Sequence, residues 1–168
     1  MRWLEILGIL PRGDSEALRL SPEGAWEVAE TKDGAVFYRA LYHLTTPTAV
    51  LYLEGSTEDQ VPRFLKTIPA PHPRQVAIGT VFPASDVYHV PATRANLDAL
   101  ADLIDRYRIA LPAIHTHLYD DEGMILSWHD AFTQPMLIDS RVAEETVRAF
   151  ANAVGQPVSR AHAALTSA

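Results

Sequence analysis

Hydrophobic side chains recur along the chain at two spacings, and these separate the predicted helices from the predicted strands. In four segments the apolar residues lie three and four positions apart, which places them on one side of a helix. Each segment begins after a residue whose side chain can cap a helix N-terminus, and Gly34 and Gly155 suit the ends of the first and last segments. The predicted helices begin near Ser21, Thr57, Thr93 and Ser140.

Strand signals fill the segments between the predicted helices. The runs are short, rich in Val, Ile, Tyr and Thr, and bounded by Pro or Gly, as strands commonly are. An apolar run at the start of the chain, which ends at Pro11, is interpreted as the first strand. The later runs are Ala35–His43, Thr48–Glu54, Gln75–Phe82, Val87–Val90, Ala113–Tyr119, Met124–Asp130 and Met136–Ile138.

The order of these elements predicts the fold class. Most predicted helices follow two short strands, which suggests a strand–strand–helix unit used three or four times. Short turns between strands favour antiparallel pairing. We therefore predict an α+β fold, a mostly antiparallel sheet with helices packed on it, as a single domain over residues 1–155. Residues 156–168 are small and polar, and we expect them to form a flexible C-terminal tail or at most a short helix.

Composition bounds the protein class. A chain of 168 residues with 48 % hydrophobic residues is typical of one globular domain. Because the chain has no Cys, disulfides, thiolate zinc sites and a cysteine nucleophile are excluded. No run approaches the roughly 20 apolar residues of a membrane-spanning helix, and Glu5 interrupts the apolar start. We expect a cytoplasmic protein that does not bind membranes.

The formal charge bears on the kind of partner. The net charge is −7, and the 14 Lys and Arg residues are scattered rather than gathered in a stripe. Nucleic-acid binding draws most of its affinity from basic side chains that neutralise phosphates, so it is disfavoured. An acidic surface instead suits a basic protein.

The segment Ala113–Asp130 contains two strand runs around a turn, and the turn length decides which side chains share a face. A type I turn with Gly123 in the left-handed conformation gives a three-residue loop over 121–123. Loops of two or four residues would mix apolar and histidine side chains on each face, which loses burial. The predicted opposed pairs are Asp120 with Met124, Leu118 with Leu126, and Thr116 with Trp128.

This register separates the apolar side chains of the hairpin from its histidines. The apolar set faces the core, where each large side chain gains transfer free energy. The core-facing residues are Ile114, Thr116, Leu118, Met124, Leu126 and Trp128. The residues of the other face are His115, His117, Tyr119, Ile125, Ser127 and His129.

Three histidines on one face form a candidate metal site. His115 and His117 lie on the same side of one strand, about 7 Å apart at Cβ, and His129 opposes His115 from the next strand. Three imidazoles with an open fourth position are the pattern of a catalytic zinc ion. Tyr119 and Ser127 share the face and are candidate binding residues. Zinc is the predicted cofactor if the site is real, and otherwise no cofactor is expected.

The same pattern also fits a hairpin whose histidine side is a solvated outer surface that needs no metal. Asp130 directly follows His129, but adjacent residues of a strand point to opposite faces. We therefore expect Asp130 to end the strand and cap the following turn, and not to form a catalytic dyad with His129.

A second chemical hypothesis involves His43. The tripeptide His43-Leu44-Thr45 resembles the His-x-Thr/Ser motif of the two-histidine phosphoesterases. The second motif of that family would be 117–119, where Tyr119 replaces the Ser or Thr. The resemblance implies His43, Thr45 and His117 as catalytic residues that converge across one cleft.

These observations favour a small binding or accessory module that acts through protein–protein interaction. The chain has no complete catalytic constellation, its charge is acidic, and its aromatic residues suit an interface as well as a core. An inhibitor of a basic nuclease, as in toxin–immunity pairs, is one form of this hypothesis. The alternative is a hydrolase, either metal-dependent through the three histidines or similar to the two-histidine phosphoesterases.

Overall fold

Seven strands and four α-helices make up the described part of the chain, which comprises residues 17–21, 24–56, 58–76 and 85–161 of a computed structural model. The helices are α1 (Gly34–Ala40), α2 (Gln60–Leu65), α3 (Arg94–Tyr107) and α4 (Glu144–Val154), and a 3-10 helix over Leu41–Leu44 continues α1. The strands are β1 (Ala25–Val28), β2 (Val50–Glu54), β3 (Val87–Pro91), β4 (His115–Asp120), β5 (Gly123–Trp128), β6 (Met136–Asp139) and β7 (Val158–Ala161).

All seven strands belong to one sheet, in the order β3-β2-β4-β5-β6-β1-β7. Each neighbouring pair is antiparallel. The predicted fold class, an α+β fold with helices packed on a mostly antiparallel sheet, is thereby confirmed.

The helices pack on one face of the sheet. One large cluster of buried residues joins side chains from all four helices to side chains of the strands, including Leu51, Leu118 and Trp128. A separate small cluster, Leu18, Tyr52, Tyr119 and Met124, lies on the opposite face. The two faces therefore have different coverings, and the histidines of β4 lie on the face without helices.

The predicted helices after Thr57, Thr93 and Ser140 are present. The Thr93 hydroxyl accepts a hydrogen bond from the Asn96 amide at 3.2 Å, so it caps α3 as expected. Gly155 ends α4 in the left-handed conformation, whereas the N-cap of that helix is Ala143 and not Ser140. None of the described helices combines the length and the apolar character needed to cross a membrane.

The predicted strand Ala35–His43 is wrong, because this segment forms α1 and the 3-10 helix. Its β-branched and aromatic residues favour a strand locally, but the Asp33 carboxylate caps a helix by accepting from the Val36 amide at 2.9 Å. Helical spacing also buries one side of the segment against the sheet. The buried residues on that side are Phe37, Tyr38, Leu41 and Leu44.

The helix predicted after Ser21 is wrong as well, because Ala25–Val28 is strand β1. This strand pairs with β6 on one side and β7 on the other, and the alternation of the strand places Trp26 and Val28 in the core. Both partners lie more than a hundred positions away, so local sequence gives no sign of them.

The tail prediction also needs correction. Residues 158–161 form strand β7 at the edge of the sheet, so the expectation of a tail is wrong for them, and residues 162–168 lie outside the described residues. The strand predicted before Pro11 lies outside the described residues, as does most of Gln75–Phe82. Within the latter, Val76 makes an isolated parallel bridge to Leu18.

Two glycines with the same backbone conformation provide a test of packing at the end of β2. Gly55 has φ +72° and Gly155 has φ +70°, so alanine is strained at both. A Cβ at Gly55 would meet Ile114 Cδ1 at 2.8 Å, whereas a Cβ at Gly155 would have no atom within 4 Å.

We predict that Gly155→Ala lowers the free energy of unfolding by about 1 kcal/mol, the backbone cost alone. Gly55→Ala should lower it by about 2–4 kcal/mol, because overpacking against Ile114 adds to that cost. Urea unfolding followed by circular dichroism measures both values. Equal losses in the free energy of unfolding for the two variants would contradict the prediction, because they would mean that the Ile114 side chain moves aside without cost.

Candidate functional site

The open end of the β4–β5 hairpin has the predicted pairing. Leu118 pairs with Leu126 and Thr116 pairs with Trp128. Three of these side chains belong to the helix-side core, and the Thr116 hydroxyl lies 3.1 Å from the Tyr38 hydroxyl of α1. The predicted separation of the hairpin into a core side and a histidine side is therefore confirmed over these residues.

The turn of the hairpin differs from the prediction. Asp120 pairs with Gly123 across a turn of residues 121–122, and not with Met124 across three residues. The Asp120 carboxylate stabilises this tight turn by accepting two backbone amides at 3.0 and 3.1 Å. A bulge at Ile125 restores the register, so Ile125 packs in the helix-side core and Met124 lies on the histidine side.

Sheet register gathers polar side chains from four strands on the face without helices. Tyr52 of β2 lies between His89 of β3 and His117 of β4, and His117 pairs with Ser127 of β5. Glu54 pairs with His115 in the same way. We call this set the histidine face, and its members are Tyr52, Glu54, His89, His115, His117, Tyr119 and Ser127.

The histidine face is covered, so the expectation of a solvated outer surface is wrong. His115 is 4 % exposed and His117 is fully buried. The segment at Leu18 lies over Tyr119 and Met124 and bonds through its amide to the Gln75 carbonyl. Tyr119 and Ser127, the predicted binding residues, do belong to this face but are themselves buried.

His117 is the least satisfied polar group of this face. Within the described part of the chain, neither of its ring nitrogens has a hydrogen-bond partner. Burial, and then repulsion from His115 and His129, lowers its pKa to about 3. The imidazole is therefore neutral near pH 7, at the cost of a desolvated polar group.

The two tyrosines of the face are hydrogen-bonded to two of its other polar side chains, Glu54 and His89. The Tyr52 hydroxyl donates to the buried Glu54 carboxylate at 2.5 Å. Tyr119 accepts from the Arg74 amide at 3.1 Å, and its hydroxyl lies 2.9 Å from His89 Nδ1. Burial raises the pKa of both phenols and lowers the pKa of His89, so all three stay neutral.

His115 and His129 are stacked at the end of the hairpin. Their ring centroids are 3.9 Å apart and their planes differ by 4°. This confirms the prediction that the two residues oppose each other. Burial is the main cause that lowers the pKa of His115, repulsion from His129 adds to it, and Glu54 and Asp130 oppose it.

Asp130 lies beside both imidazoles, contrary to the prediction that it points to the other face. It lies in the turn after β5 and has a left-handed φ of +47°, so strand alternation no longer applies to it. Its amide donates to His115 Nδ1 at 3.0 Å. Its carboxylate lies 3.9 Å from His115 Nδ1 and 4.0 Å from His129 Nε2.

The sequence predicts that Asp130 ends the strand and caps the next turn, but β5 already ends at Trp128 and Asp130 belongs to the turn that follows. Its carbonyl accepts from the amides of Thr133 and Gln134 at 3.1 and 3.2 Å. The distance from His129 Nε2 is too long for a hydrogen bond, so the pair does not form an oriented catalytic dyad.

The predicted metal ligands are only partly brought together. His115, His129 and Asp130 have potential ligand atoms within 4.8 Å of one another, and His117 does not belong to this group. Asp130 therefore takes the place that the sequence pattern assigned to His117.

The structure does not bring together the residues of the phosphoesterase hypothesis. His43 is exposed on the 3-10 helix, which packs among the other helices, and Thr45 bonds to the Tyr42 carbonyl at 3.0 Å. His117 lies on the opposite face of the sheet, since its neighbour Thr116 contacts α1. His43, Thr45 and His117 therefore do not form the catalytic site that the resemblance implies.

Sequence reasoning missed Tyr52, Glu54 and His89. The alternation of Tyr52 and Glu54 indicates that they share a side of β2. Only the pairing of β2 with β3 and β4, which are distant in sequence, shows that this is the side of the histidines.

Comparison with known proteins gives no match to a family model, a curated protein or a solved structure.

We predict that His117→Leu stabilises the protein at pH 7 by about 1 kcal/mol or more, because it removes a buried polar group that lacks a partner. The gain should grow as pH falls below 6.5. There the unfolded histidine binds a proton that the folded one, with its pKa of about 3, does not bind. The growth is at most about 1.4 kcal/mol per pH unit.

Urea unfolding at pH 7 and pH 5, in the presence of a chelator, measures these values. His43→Leu is the matched control, because His43 is exposed in the helix layer. That variant should change stability by less than about 0.5 kcal/mol at pH 7. A His117→Leu protein less stable than wild type at both pH values would contradict the prediction.

Proposed function

We propose that the protein is a binding module that recognises a basic protein partner through one end of its sheet. The observation that carries this proposal is a concentration of exposed carboxylates at that end. An inhibitor of a basic nuclease, of the kind found in toxin–immunity pairs, is a form of the same proposal.

Three backbone hydrogen bonds define the end of the sheet concerned. Gly55 donates to the Asp86 carbonyl at 3.2 Å, Ile114 donates to the Glu54 carbonyl at 2.8 Å, and Ala131 donates to the Ile114 carbonyl at 2.8 Å. These bonds align the end of β2 and the start of β4 with the segments next to β3 and β5.

We call the exposed residues at this end the acidic edge. Asp130 is 54 % exposed beside the half-exposed His129, and Asp86 is exposed beside the end of β2. The turn after β2 adds two more exposed carboxylates, Glu58 and Asp59. Asp59 has a cation nearby, but its 3.8 Å ion pair with Arg63 is fully at the surface and therefore weak.

The charge of the whole chain supports the same partner class. With a net charge of −7, the protein attracts a basic surface at long range. The acidic edge is the surface on which such a partner would make contact. Such complementarity mainly raises the rate of association and excludes acidic partners.

The histidine face gives less support to the hydrolase alternative. The His89 ring bonds to the Tyr119 hydroxyl and His115 Nδ1 accepts the Asp130 amide, and neither contact is the pairing of a serine or threonine nucleophile with its base. A metal-dependent hydrolase remains a second proposal, supported only by the group of His115, His129 and Asp130.

We predict that Asp86→Asn combined with Asp130→Asn weakens binding to the partner about tenfold, since each exposed charge contributes up to about 1 kcal/mol. Asparagine tolerates the positive φ of Asp130, so the fold should be kept. The matched control is Asp121→Asn combined with Glu145→Gln, which makes the same change of charge at exposed positions elsewhere.

Affinity purification from the native host, with quantitative mass spectrometry, identifies the partner, and calorimetry with the purified pair measures affinity. The expected result is one basic protein, retained by wild type and control and released by added salt. Equal affinity for the acidic-edge variant, insensitivity to salt, or recovery of chaperones alone would contradict the proposal.

A further inference from the structure

We propose that His115, His129 and Asp130 form a binding site for a divalent transition-metal ion such as zinc. This site differs from the three-histidine set that the sequence pattern predicts. It also does not depend on the acidic edge binding a protein partner.

The donor atoms are close to the separations that a zinc ion requires. Two ligands of a tetrahedral ion at about 2.0–2.2 Å lie roughly 3.4 Å apart. The Asp130 carboxylate is 3.9 Å from His115 Nδ1 and 4.0 Å from His129 Nε2, and all three ligand atoms lie within 4.8 Å. Side-chain rotation, above all of His129, is therefore needed to close the group around an ion.

The left-handed backbone of Asp130 directs its side chain towards the two imidazoles. Three hydrogen bonds to its carbonyl, from the amides of Thr133 and Gln134 and from the Thr133 hydroxyl at 2.7 Å, hold the turn. A residue in ordinary strand geometry would point away from His129. The backbone thus keeps an exposed carboxylate next to two imidazoles, one of which is buried.

The stack of His115 and His129 must open when the ion binds. A metal ion lies in the plane of each imidazole that ligates it, along the lone pair of the nitrogen. Two parallel rings 3.9 Å apart cannot both meet this condition. His129, whose side chain is 45 % exposed, is free to turn, whereas His115 is held in the sheet.

His115 Nδ1 is the ligand atom of the buried ring. It accepts the Asp130 amide, so in the neutral ring it carries the lone pair and the proton is on Nε2. An ion at Nδ1 replaces this hydrogen bond without loss of a proton.

The surrounding charges favour a cation of this class. Asp130 supplies one negative charge, and the buried Glu54 carboxylate on the neighbouring strand supplies another next to His115. Two imidazole nitrogens and one carboxylate select zinc, cobalt, nickel or copper over calcium and magnesium, which prefer oxygen ligands. A water molecule would complete the coordination.

Binding is tested with the chelator-treated full chain, with Zn²⁺ in calorimetry and Co²⁺ in absorption spectroscopy. We expect one ion per chain and visible Co²⁺ bands of tetrahedral intensity. Asp130→Asn and His129→Ala should each weaken Zn²⁺ binding at least about tenfold, because even residues that only support ligands contribute factors of 10–100.

Two control variants make the result specific to this site. His43→Ala removes an exposed histidine from the helix layer and should leave the affinity unchanged. His117→Leu should also keep the ion, since His117 lies outside the group. Asp86→Asn should weaken binding of the protein partner and leave Zn²⁺ binding unchanged. The two proposals can therefore fail independently of each other.

Three outcomes would overturn the site. One is that wild-type protein binds no Zn²⁺. Another is that Asp130→Asn and His129→Ala bind as tightly as wild type. The last is that His117→Leu loses the ion while Asp130→Asn keeps it, which would restore the three-histidine set.

Discussion

The pairing of β4 with β2 on one side and β5 on the other determines which side chains of this protein meet. Thr116 and Leu118 of β4 turn towards the helices, so His115 and His117 must turn away from them. The pairing with β2 then adds Tyr52 and Glu54 to the same side. A shift of β4 by one residue would place imidazoles in the helix-side core and remove both the core and the histidine face.

Local patterns were sufficient for elements whose stability is itself local. Helix α3 has a capping threonine and a long apolar stripe, and both can be recognised in the sequence. The open end of the hairpin followed from the need to bury Leu126 and Trp128 on one side. The strand predicted over Ala35–His43 is wrong because β-branched and aromatic residues favour a strand locally, whereas the buried side chains of the segment have helical spacing.

Long-range contacts decided the features that the patterns missed. Residues 25–28 form a strand because they pair with β6 and β7, which lie near the other end of the chain. Tyr52 and Glu54 face the histidines for the same reason. Asp130 is a different case. Its predicted direction assumes the alternation of side chains along a strand, and this alternation does not hold for a residue with a left-handed backbone. No signal in the order of residues distinguishes that conformation from an ordinary strand end.

Burial of the histidines has a cost that the fold must offset. His117 lacks a partner within the described residues, so the surrounding packing of the sheet supplies the compensating free energy. His115 differs, because the Asp130 amide satisfies one nitrogen and carboxylates lie near its ring. The polar groups therefore differ along the face: His117 is buried without a partner, whereas the groups next to the acidic edge have charged neighbours. Only the groups of the acidic edge are accessible to a ligand.

The two proposed ligands of that edge would act against each other. A divalent cation held by His129 and Asp130 adds positive charge where the exposed carboxylates attract a basic partner, and it occupies one of those carboxylates. The repulsion is a coupling free energy between the two ligands, and such coupling is reciprocal. A partner that neutralises Asp130 must lower the affinity for the ion by the same factor by which the ion lowers the affinity for the partner. Shared use of Asp130 would therefore make the acidic edge a place where metal supply controls protein association.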